Sequence, residues 1–214
     1  MKYIVLMDGG FVKHKFSQAF GKDPSAPDIK ELSDKIILYN KENDTLIRIY
    51  YYDSPPLTTQ LKKPVSGTVL DLSKTPTFLA NKQRLEALKR TDHFAVREGR
   101  LTMNGWKLKQ SAIGKAAADL TDSDFSPDIQ QKGVDMKIGL DIAWISFNKI
   151  AERILVITGD SDFIPAIKLA RRNGIQVYLF TLAHGVTHEL TEHSDRLILS
   201  EIRSLSPDAD VSKS

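Results

Sequence analysis

The amino-acid sequence predicts an α/β fold, a three-layer sandwich with a central, mainly parallel sheet between two layers of helices. Two observations support this prediction. Residues 3–7 and 153–158 are short, almost uninterrupted apolar runs, which are typical of strands buried on both faces. Strand-like segments also alternate with segments of helical spacing, as expected when helices connect parallel strands.

The first half of the sequence predicts two strands, with helices between and after them. Strand one covers residues 3–7 and leads into a helix. Apolar residues at helical spacing predict a second helix around 27–42. Residues 45–52 are rich in β-branched and aromatic side chains and predict strand two, which Asp53-Ser-Pro-Pro56 ends. A third helix is predicted at 76–91.

Residues 93–131 interrupt the alternation and are predicted to be an insert. Two strand-like segments, 94–97 and 100–103, with Asn104-Gly105 as a turn signal, predict short strands or a small hairpin. Residues 110–131 are polar and weakly patterned, which predicts a long, mobile loop.

The last third of the sequence returns to alternating helices and strands. The predicted elements are helix 133–149, strand 153–158, helix 162–173, strand 175–180, a short helix near 185–193 and strand 196–200. One domain is therefore expected over residues 1–205, and the polar residues 206–214 are predicted to be a disordered tail.

The composition of the 214 residues, 41% hydrophobic and 27% charged, is that of an ordinary globular protein. No apolar run approaches the ~20 residues that span a bilayer, so a membrane partner is not expected. The absence of cysteine excludes disulfides and thiolate metal sites, and it agrees with a cytoplasmic location. A net charge of +3 permits a polyanionic partner. The sequence leaves the oligomeric state open, and a homo-oligomer is allowed.

Four aspartates are predicted to meet at one edge of the sheet. Asp8, Asp160 and Asp162 follow predicted strands directly, and Asp135 lies in the first turn of the helix at 133–149. Ligands of open α/β sheets bind at the carboxyl ends of the strands. Two carboxylates ~4 Å apart repel by about 4 kcal/mol at an effective dielectric constant of 20. Such a cluster needs protons or a cation.

The donor atoms indicate which cation this would be. Oxygen ligands without cysteine favour Mg²⁺ or Mn²⁺ over Zn²⁺. Ions of this type contact substrate phosphates, so hydrolysis of phosphodiester bonds is the chemistry that the cluster predicts. The interpretation of His184 and His188, one helical turn apart, is exposed helix polarity rather than a metal site.

Each aspartate also has a simpler structural explanation. Asp162 is placed to be the N-cap of the next helix, Asp135 to complement a helix dipole, and Asp8 to serve as a turn residue. Asp8 and the pair Asp160 and Asp162 nevertheless follow two separate strands in the same manner. The repetition favours a shared site over independent structural roles.

The sequence resembles the NYN domain family of the PIN-like nuclease superfamily. The resemblance is carried by Lys132-Gly-Val-Asp-Met-Lys-Ile-Gly-Leu-Asp141 together with Thr158-Gly-Asp-Ser-Asp-Phe-Ile-Pro-Ala166. Tyr51-Tyr-Asp-Ser-Pro55, His188-Glu-Leu190 and Asp195-Arg-Leu-Ile198 extend it over nearly the whole chain.

The resemblance implies a PIN-like, Rossmannoid sheet and a metal-dependent endoribonuclease that acts on single-stranded or structured RNA. By position, it makes Asp8, Asp135, Asp160 and Asp162 the catalytic and metal-binding residues. Asp53 is added as a weaker, outer ligand. In this scheme Asp135 and Asp160 orient the attacking water, and Asp8 and Asp162 hold the ions.

Two further positions are interpreted against the family pattern. Asp141 matches the motif, but it lies well around the helix from Asp135, so we expect it to have a structural hydrogen-bonding role. The family commonly has an asparagine shortly after the first aspartate, where this chain has Gly10-Phe11. This departure removes an amide contact to substrate or water.

Basic and aromatic residues near these motifs predict a nucleic-acid surface, because cations neutralise phosphates and aromatic rings stack on bases. The predicted nucleic-acid-binding residues are Lys13, Lys15, Arg97, Arg100, Trp106, Lys107, Lys132 and Ser161. The alternative is a solvated hairpin in which Trp106 packs inward.

Two functions compete with the nuclease. A phosphatase of the haloacid dehalogenase type also uses an aspartate after strand one, but it needs a second aspartate two residues later, where this chain has Gly10. A catalytically weak RNA- or protein-binding regulatory module on the same fold would agree with the modest charge and with the missing asparagine.

Overall fold

The computed structural model describes residues 1–205. The helices of this part are α1 (Gly9–Phe20), α2 (Ala26–Ile37), α3 (Pro76–Leu88), α4 (Val134–Phe147), α5 (Ile164–Arg172) and α6 (His188–Glu192). The strands are β1 (Lys2–Asp8), β2 (Thr45–Asp53), β3 (Gln60–Lys62), β4 (Val69–Asp71), β5 (Phe94–Glu98), β6 (Arg100–Leu108), β7 (Phe125–Lys132), β8 (Arg153–Ile157), β9 (Gln176–Phe180) and β10 (Arg196–Ile198).

Six strands form one parallel sheet in the order β10-β9-β8-β1-β2-β5. The chain builds the sheet outward from β1 in one direction and outward from β8 in the other. The strand order therefore reverses between these two neighbours, and such a reversal opens a crevice at their carboxyl ends. The predicted three-layer α/β fold with its parallel sheet is confirmed.

Apolar side chains alternate between two cores because successive strand residues point to opposite faces of the sheet. Val5 and Met7 of β1 pack with α1, α2 and α3, whereas Ile4 and Leu6 pack with α4 and α5. Strand β8 is buried throughout, which explains its continuous apolar sequence.

The start of α2 is visible in the sequence. Ser25 accepts a hydrogen bond from the backbone N–H of Asp28, and the Asp28 carboxylate accepts one from the backbone N–H of Ser25, which together form a capping box. Helix α3 begins at Pro76 after Thr75, whose hydroxyl accepts from Phe78 N–H. Both helices end a few residues before the predicted 42 and 91.

The short strands predicted at 94–97 and 100–103 are present, but the hairpin between them and the continuous loop at 110–131 are not. Phe94–Glu98 does not form a hairpin with residues 100–103 but extends the main sheet, parallel to β2. The partner of β6 is β7, from the segment predicted to be a loop, and Asn104-Gly105 lies at an irregularity between Met103 and Trp106. Period-two patterning identifies a strand but not its partner, and here the partner is distant in sequence.

The insert therefore forms an antiparallel arm, β6–β7, whose connection contains three short 3-10 turns. A second small hairpin, β3–β4, was not predicted. The disordered tail predicted at 206–214 lies outside the described residues. Over residues 1–205, no helix is long and apolar enough to cross a membrane.

Candidate functional site

The carboxyl ends of β1 and β8 bring the predicted aspartates to the crevice where the strand order reverses. Met7 pairs with Ile157 in adjacent strands, so Asp8 and the segment Thr158-Gly-Asp160 leave the sheet side by side. Helix α4 packs on β1 and brings its N-terminus, with Asp135, to the same edge. This placement agrees with the predicted convergence.

Asp8 is half-buried and is the N-cap of α1, where one carboxylate oxygen accepts from Phe11 N–H at 3.1 Å. The pKa of Asp8 is raised to about 6, mainly by burial. The charges of Asp135 and Asp160 contribute to this rise, whereas the backbone hydrogen bonds from Phe11 and Gly10 oppose it. The carboxylates therefore interact electrostatically.

Asp135 is the second residue of α4, after Val134. Gly133 is the N-cap and adopts φ 80°, a left-handed conformation that glycine accepts without strain. The side chain of Asp135 is exposed at its tip, yet partial loss of hydration raises its pKa, and the charges of Asp160 and Asp162 add to the shift. All four predicted aspartates are thus linked by repulsion.

Asp160, and not Asp162, has the capping role. The Asp160 carboxylate accepts from Asp162 N–H at 2.9 Å and starts the 3-10 turn Ser161–Phe163 that precedes α5. The Asp160 N–H donates to the buried Thr158 hydroxyl at 3.2 Å. The simpler interpretation of Asp162 as a helix N-cap therefore does not apply, and its exposed carboxylate faces solvent at the edge.

The donor chemistry of the cluster fits a hard divalent ion. Asp8, Asp135, Asp160 and Asp162 make no ion pair with Lys, Arg or His within residues 1–205, although many other carboxylates of that part do. No three His, Cys, Asp or Glu side chains of the described chain are grouped closely enough to hold an ion as they stand. Binding of an ion would therefore require these side chains to move closer together.

Asp53 lies at the end of β2 in a different environment. It is 1% exposed, and its two oxygens accept from Lys13 Nζ at 2.8 Å and from Arg84 Nη2 at 3.4 Å. Ser54 N–H donates to it as well. Two cations of the chain therefore already compensate Asp53, and its predicted role as an outer metal ligand stays a prediction.

Asp141 accepts a hydrogen bond from the Tyr52 hydroxyl at 2.9 Å and forms an ion pair with Arg97 at 3.0 Å. This arrangement agrees with the structural role expected for Asp141. Arg97 also lies over the ring of Tyr50. The guanidinium of Arg97 is therefore engaged within the chain, as is the ammonium of Lys13.

Among the predicted nucleic-acid-binding residues, Arg100 and Lys132 combine solvent exposure with the lack of an ion pair in the described chain. They face each other across the first pair of the β6–β7 arm. Like charges directly opposite in a sheet repel each other. Because Lys132 precedes Gly133 and Asp135, this pair lies next to the carboxylates and could bind an anion there.

The remaining predicted contacts are more dispersed. Trp106 is half-buried, and its indole N–H donates to the Lys62 carbonyl at 2.8 Å, which ties β6 to the β3–β4 hairpin. Lys107 lies 3.9 Å from Asp128 and is exposed. Lys15 on α1 and Ser161 beside Asp160 are half-buried. The hydrogen bond of Trp106 within the chain fits the alternative interpretation better than a role in base stacking.

His184 lies at the same edge of the sheet. Its interpretation as an exposed polar residue of a helix did not predict this position. A Cβ added to Gly159 would lie 2.3 Å from the His184 ring, so the chain uses glycine to make room for the imidazole. Phe11 packs edge-on against it, with ring centroids 5.7 Å apart. The preceding Leu182 and Ala183 both have positive φ, 48° and 58°, a conformation seldom adopted by such residues and often found at functional sites.

Gln131 of β7 approaches Gly10 from the arm. Its Oε1 is 3.9 Å from the position that a Cβ of Gly10 would take, and Asp8 Oδ1 is 3.4 Å from that position. An amide side chain and the Asp8 carboxylate thus both lie near Gly10, although the asparagine expected from the resemblance is absent. No sequence signal marks Gln131, because only the unpredicted pairing of β6 with β7 brings it there.

Comparison with known proteins gives a family and a fold. A model of the NYN domain family matches residues 24–201, a range that begins after Asp8. An uncharacterized protein of Methanocaldococcus jannaschii is 30% identical over 91 residues, which are 42% of this chain and 38% of that protein. A crystal structure of a Vibrio parahaemolyticus protein of unknown function covers 92% of this chain and 91% of that one with a TM-score of 0.51 at 14% identity, and this likeness concerns the fold alone.

Proposed function

The chain belongs to the NYN domain family, and from this premise we propose that it is a divalent-metal-dependent endoribonuclease. NYN domains are generally nucleases. The proposed reaction is hydrolysis of phosphodiester bonds in single-stranded or structured RNA, in the cytoplasm. RNA is preferred over DNA because of the family, since we identify no described residue that would read a 2′-hydroxyl.

One observation carries the proposal. Carboxylates from three separate parts of the chain meet at the edge where ligands of such sheets bind: the charge of Asp160 raises the pKa of both Asp8 and Asp135, and none of the three forms an ion pair with a cation of residues 1–205. Neighbouring carboxylates of like charge destabilise a fold, so such a cluster commonly has a functional role. Oxygen ligands of this kind suit the binding of Mg²⁺ or Mn²⁺.

The proposed roles follow from the position of each residue. A bound divalent ion supplies Lewis acidity and neutralises charge at the phosphate. Asp8 and Asp162 would hold the ions, while Asp135 and Asp160 would orient water for attack. Asp8 must be ionised for this role, and because its pKa is raised to about 6 without an ion, a proton competes with the metal as the pH falls below about 6.

The residues that surround the carboxylates are suited to bind the nucleic acid. Arg100 and Lys132 would contact a phosphate next to the scissile one, because their mutual repulsion is relieved by an anion. Gln131 would supply the amide that Gly10-Phe11 lacks. The ring of His184, held by Phe11, would contact a base or sugar.

Removal of the metal tests the proposal directly. We expect the purified chain to cleave a 5′-labelled single-stranded RNA in Mn²⁺ or Mg²⁺ buffer and to lose at least ~100-fold of that rate in EDTA, because one ion contributes several kcal/mol to such a transition state. Addition of Mn²⁺ to the EDTA-treated protein should restore cleavage. An EDTA-resistant rate would contradict the proposal.

A second candidate function is a regulatory module that binds RNA or protein on the same fold without appreciable cleavage. The observation that favours it is the absence, within residues 1–205, of three carboxylates already grouped for an ion. Retained RNA binding in a filter or fluorescence assay, with no cleavage in either Mn²⁺ or Mg²⁺, would select this function over the nuclease.

Asp8 should make stability depend on pH. The pKa of Asp8 is about 6 in the folded protein and about 3.8 when unfolded, so the folded state binds the proton more tightly. The stabilisation is complete below pH 4 and is lost as the pH rises through 6, which amounts to about 3 kcal/mol. Asp8→Asn keeps the N-cap acceptor and should be the more stable protein at pH 7.5, but not at pH 4.

Urea unfolding of both proteins in EDTA at pH 4, 5, 6 and 7.5 measures this effect, with Asp119→Asn on the exposed connection of the arm as the control. Mn²⁺ should then raise the stability of the wild type at pH 7.5 and much less at pH 5. Parallel stability curves for the wild type and Asp8→Asn would show that Asp8 is not held in a charged cluster.

A further inference from the structure

Helix α4 is apolar on two opposite faces. Val134, Ile138, Ile142 and Ile145 are buried against the sheet, as the helical spacing predicts. On the other side, four large side chains are between 61% and 71% exposed: Met136, Leu140, Trp144 and Phe147. A helix with apolar residues on both sides is normally buried on both sides.

These four residues, here called the α4 stripe, follow one another at intervals of four, four and three and therefore share one helical face. Aromatic side chains present roughly 150–250 Å² each, so the stripe exposes on the order of 500 Å² of apolar surface. A single patch of this size on a monomer is at the upper end of the usual range and commonly marks an interaction site.

We infer that the α4 stripe is the interface of a homodimer in which the α4 helices of two copies pack antiparallel. The area supports a second copy as the occupant, because two stripes would bury about 1,000 Å² together, the size at which a specific interface begins. An antiparallel pair around a two-fold axis places the same patch on both sides. Met136 of one copy then lies near Phe147 of the other.

The neighbouring residues permit this approach. Gly139 has open space at the position of a Cβ, and Ala143 is small, so the backbone of a second helix can come close beside Leu140 and Trp144. Lys137 borders the stripe three residues before Leu140, but its ammonium donates to the Glu98 carbonyl at 2.7 Å and is therefore engaged within the chain. The four stripe residues themselves are apolar, so another apolar helix fits them better than a charged or extended partner.

The dimer leaves both candidate sites open. Asp135 lies beside Met136 at the start of α4, so antiparallel packing places the two Asp135 residues at opposite ends of the interface. At a rise of 1.5 Å per residue, these ends are roughly 20 Å apart along the helices. The two carboxylate clusters could then act on one RNA at two positions, but the dimer itself does not depend on the proposed nuclease activity.

Sedimentation velocity tests the inference. We expect the wild type to sediment at twice its chain mass of 24.0 kDa at ~20 µM, as for a micromolar or tighter dimer. Leu140→Lys/Trp144→Lys should sediment as a monomer with unchanged circular dichroism. Leu79→Lys, at an equally apolar exposed position on α3, is the matched control and should remain a dimer.

A cross-linking experiment separates loss of the interface from loss of folding. Because the chain has no cysteine, Ala143→Cys places a single thiol close to the proposed axis, and mild oxidation should give a covalent dimer. Ala80→Cys, exposed on α3, should not. A wild type that is monomeric at ~100 µM, or a Leu140→Lys/Trp144→Lys variant that still dimerises, would overturn the inference.

Discussion

Asp160→Asn is expected to abolish metal-dependent RNA cleavage, with a loss of about 10³-fold or more, while the fold is retained. The carboxylate of Asp160 lies in the centre of the cluster, since its charge raises the pKa of both Asp8 and Asp135. In the proposed mechanism, replacement by an amide removes the negative charge that would orient the attacking water, which is worth several kcal/mol of transition-state stabilisation.

The same substitution should leave the local structure intact. The Asn oxygen can still accept from Asp162 N–H and start the 3-10 turn before α5, because asparagine is as good a cap as aspartate. The measurements are single-turnover cleavage of labelled RNA in Mn²⁺ and the thermal midpoint in EDTA. Asp119→Asn is the control for loss of one carboxylate outside the cluster.

The result distinguishes the two candidate functions. RNA binding in EDTA should change little or become tighter in Asp160→Asn, since one negative charge near the phosphates is removed. Cleavage that survives the substitution within ~10-fold would mean that the reaction occurs elsewhere on the chain or in a contaminant.

The parts of the fold that the sequence predicted well are those set by local patterns. The apolar runs of β1 and β8 are buried on both faces, and they became neighbouring parallel strands. The prediction that Asp8 and Asp160 converge needed only this adjacency. Their positions directly after the strands fixed the edge at which they lie.

The misplaced elements depend on contacts between distant residues. Phe94–Glu98 reads as one strand of a hairpin, but its partner is β2, about 45 residues earlier, as in the pairing of Phe94 with Ile49. Strand β7 has a polar sequence that only its pairing with β6 orders. A local pattern predicts neither pairing, and only the second brings Gln131 near Gly10.

The contact partners of individual side chains could not be predicted from the sequence either. Lys13 follows Asp8 closely and was predicted to contact nucleic acid, but it is bound to the buried Asp53. Which lysine pairs with which carboxylate is decided by the packing of α1 on β2. Likewise, Met136 and Trp144 lie on the second face of α4 and look like ordinary core residues until the first face is seen to fill the core.

Arg84→Met is expected to lower the free energy of unfolding by about 3–5 kcal/mol, the largest effect on stability that we expect from any substitution outside the cluster. Arg84 is buried on α3 and donates to the Pro24 carbonyl, to Asn81 and to Asp53. Methionine fills similar volume but leaves the Asp53 carboxylate, which is 1% exposed, with one cation fewer.

Equilibrium urea unfolding measures this loss. The matched control is Arg171→Met, because Arg171 pairs with Asp195 at the partly exposed surface, where an ion pair contributes about 0–1 kcal/mol. The double variant Asp53→Asn/Arg84→Met should be less destabilised than the sum of its single variants, since removal of both charges leaves neither one buried alone.

The outcome also decides whether Asp53 can serve as an outer metal ligand. If its carboxylate is held by Arg84 and Lys13, then Mn²⁺ should stabilise Arg84→Met and the wild type to the same extent, because the ion-binding carboxylates lie elsewhere. If Arg84→Met instead loses less than ~1 kcal/mol and gains extra stability from Mn²⁺, Asp53 is free to bind the ion. The Asp53 carboxylate would then act as a metal ligand, and its ion pair with Arg84 would contribute little to stability.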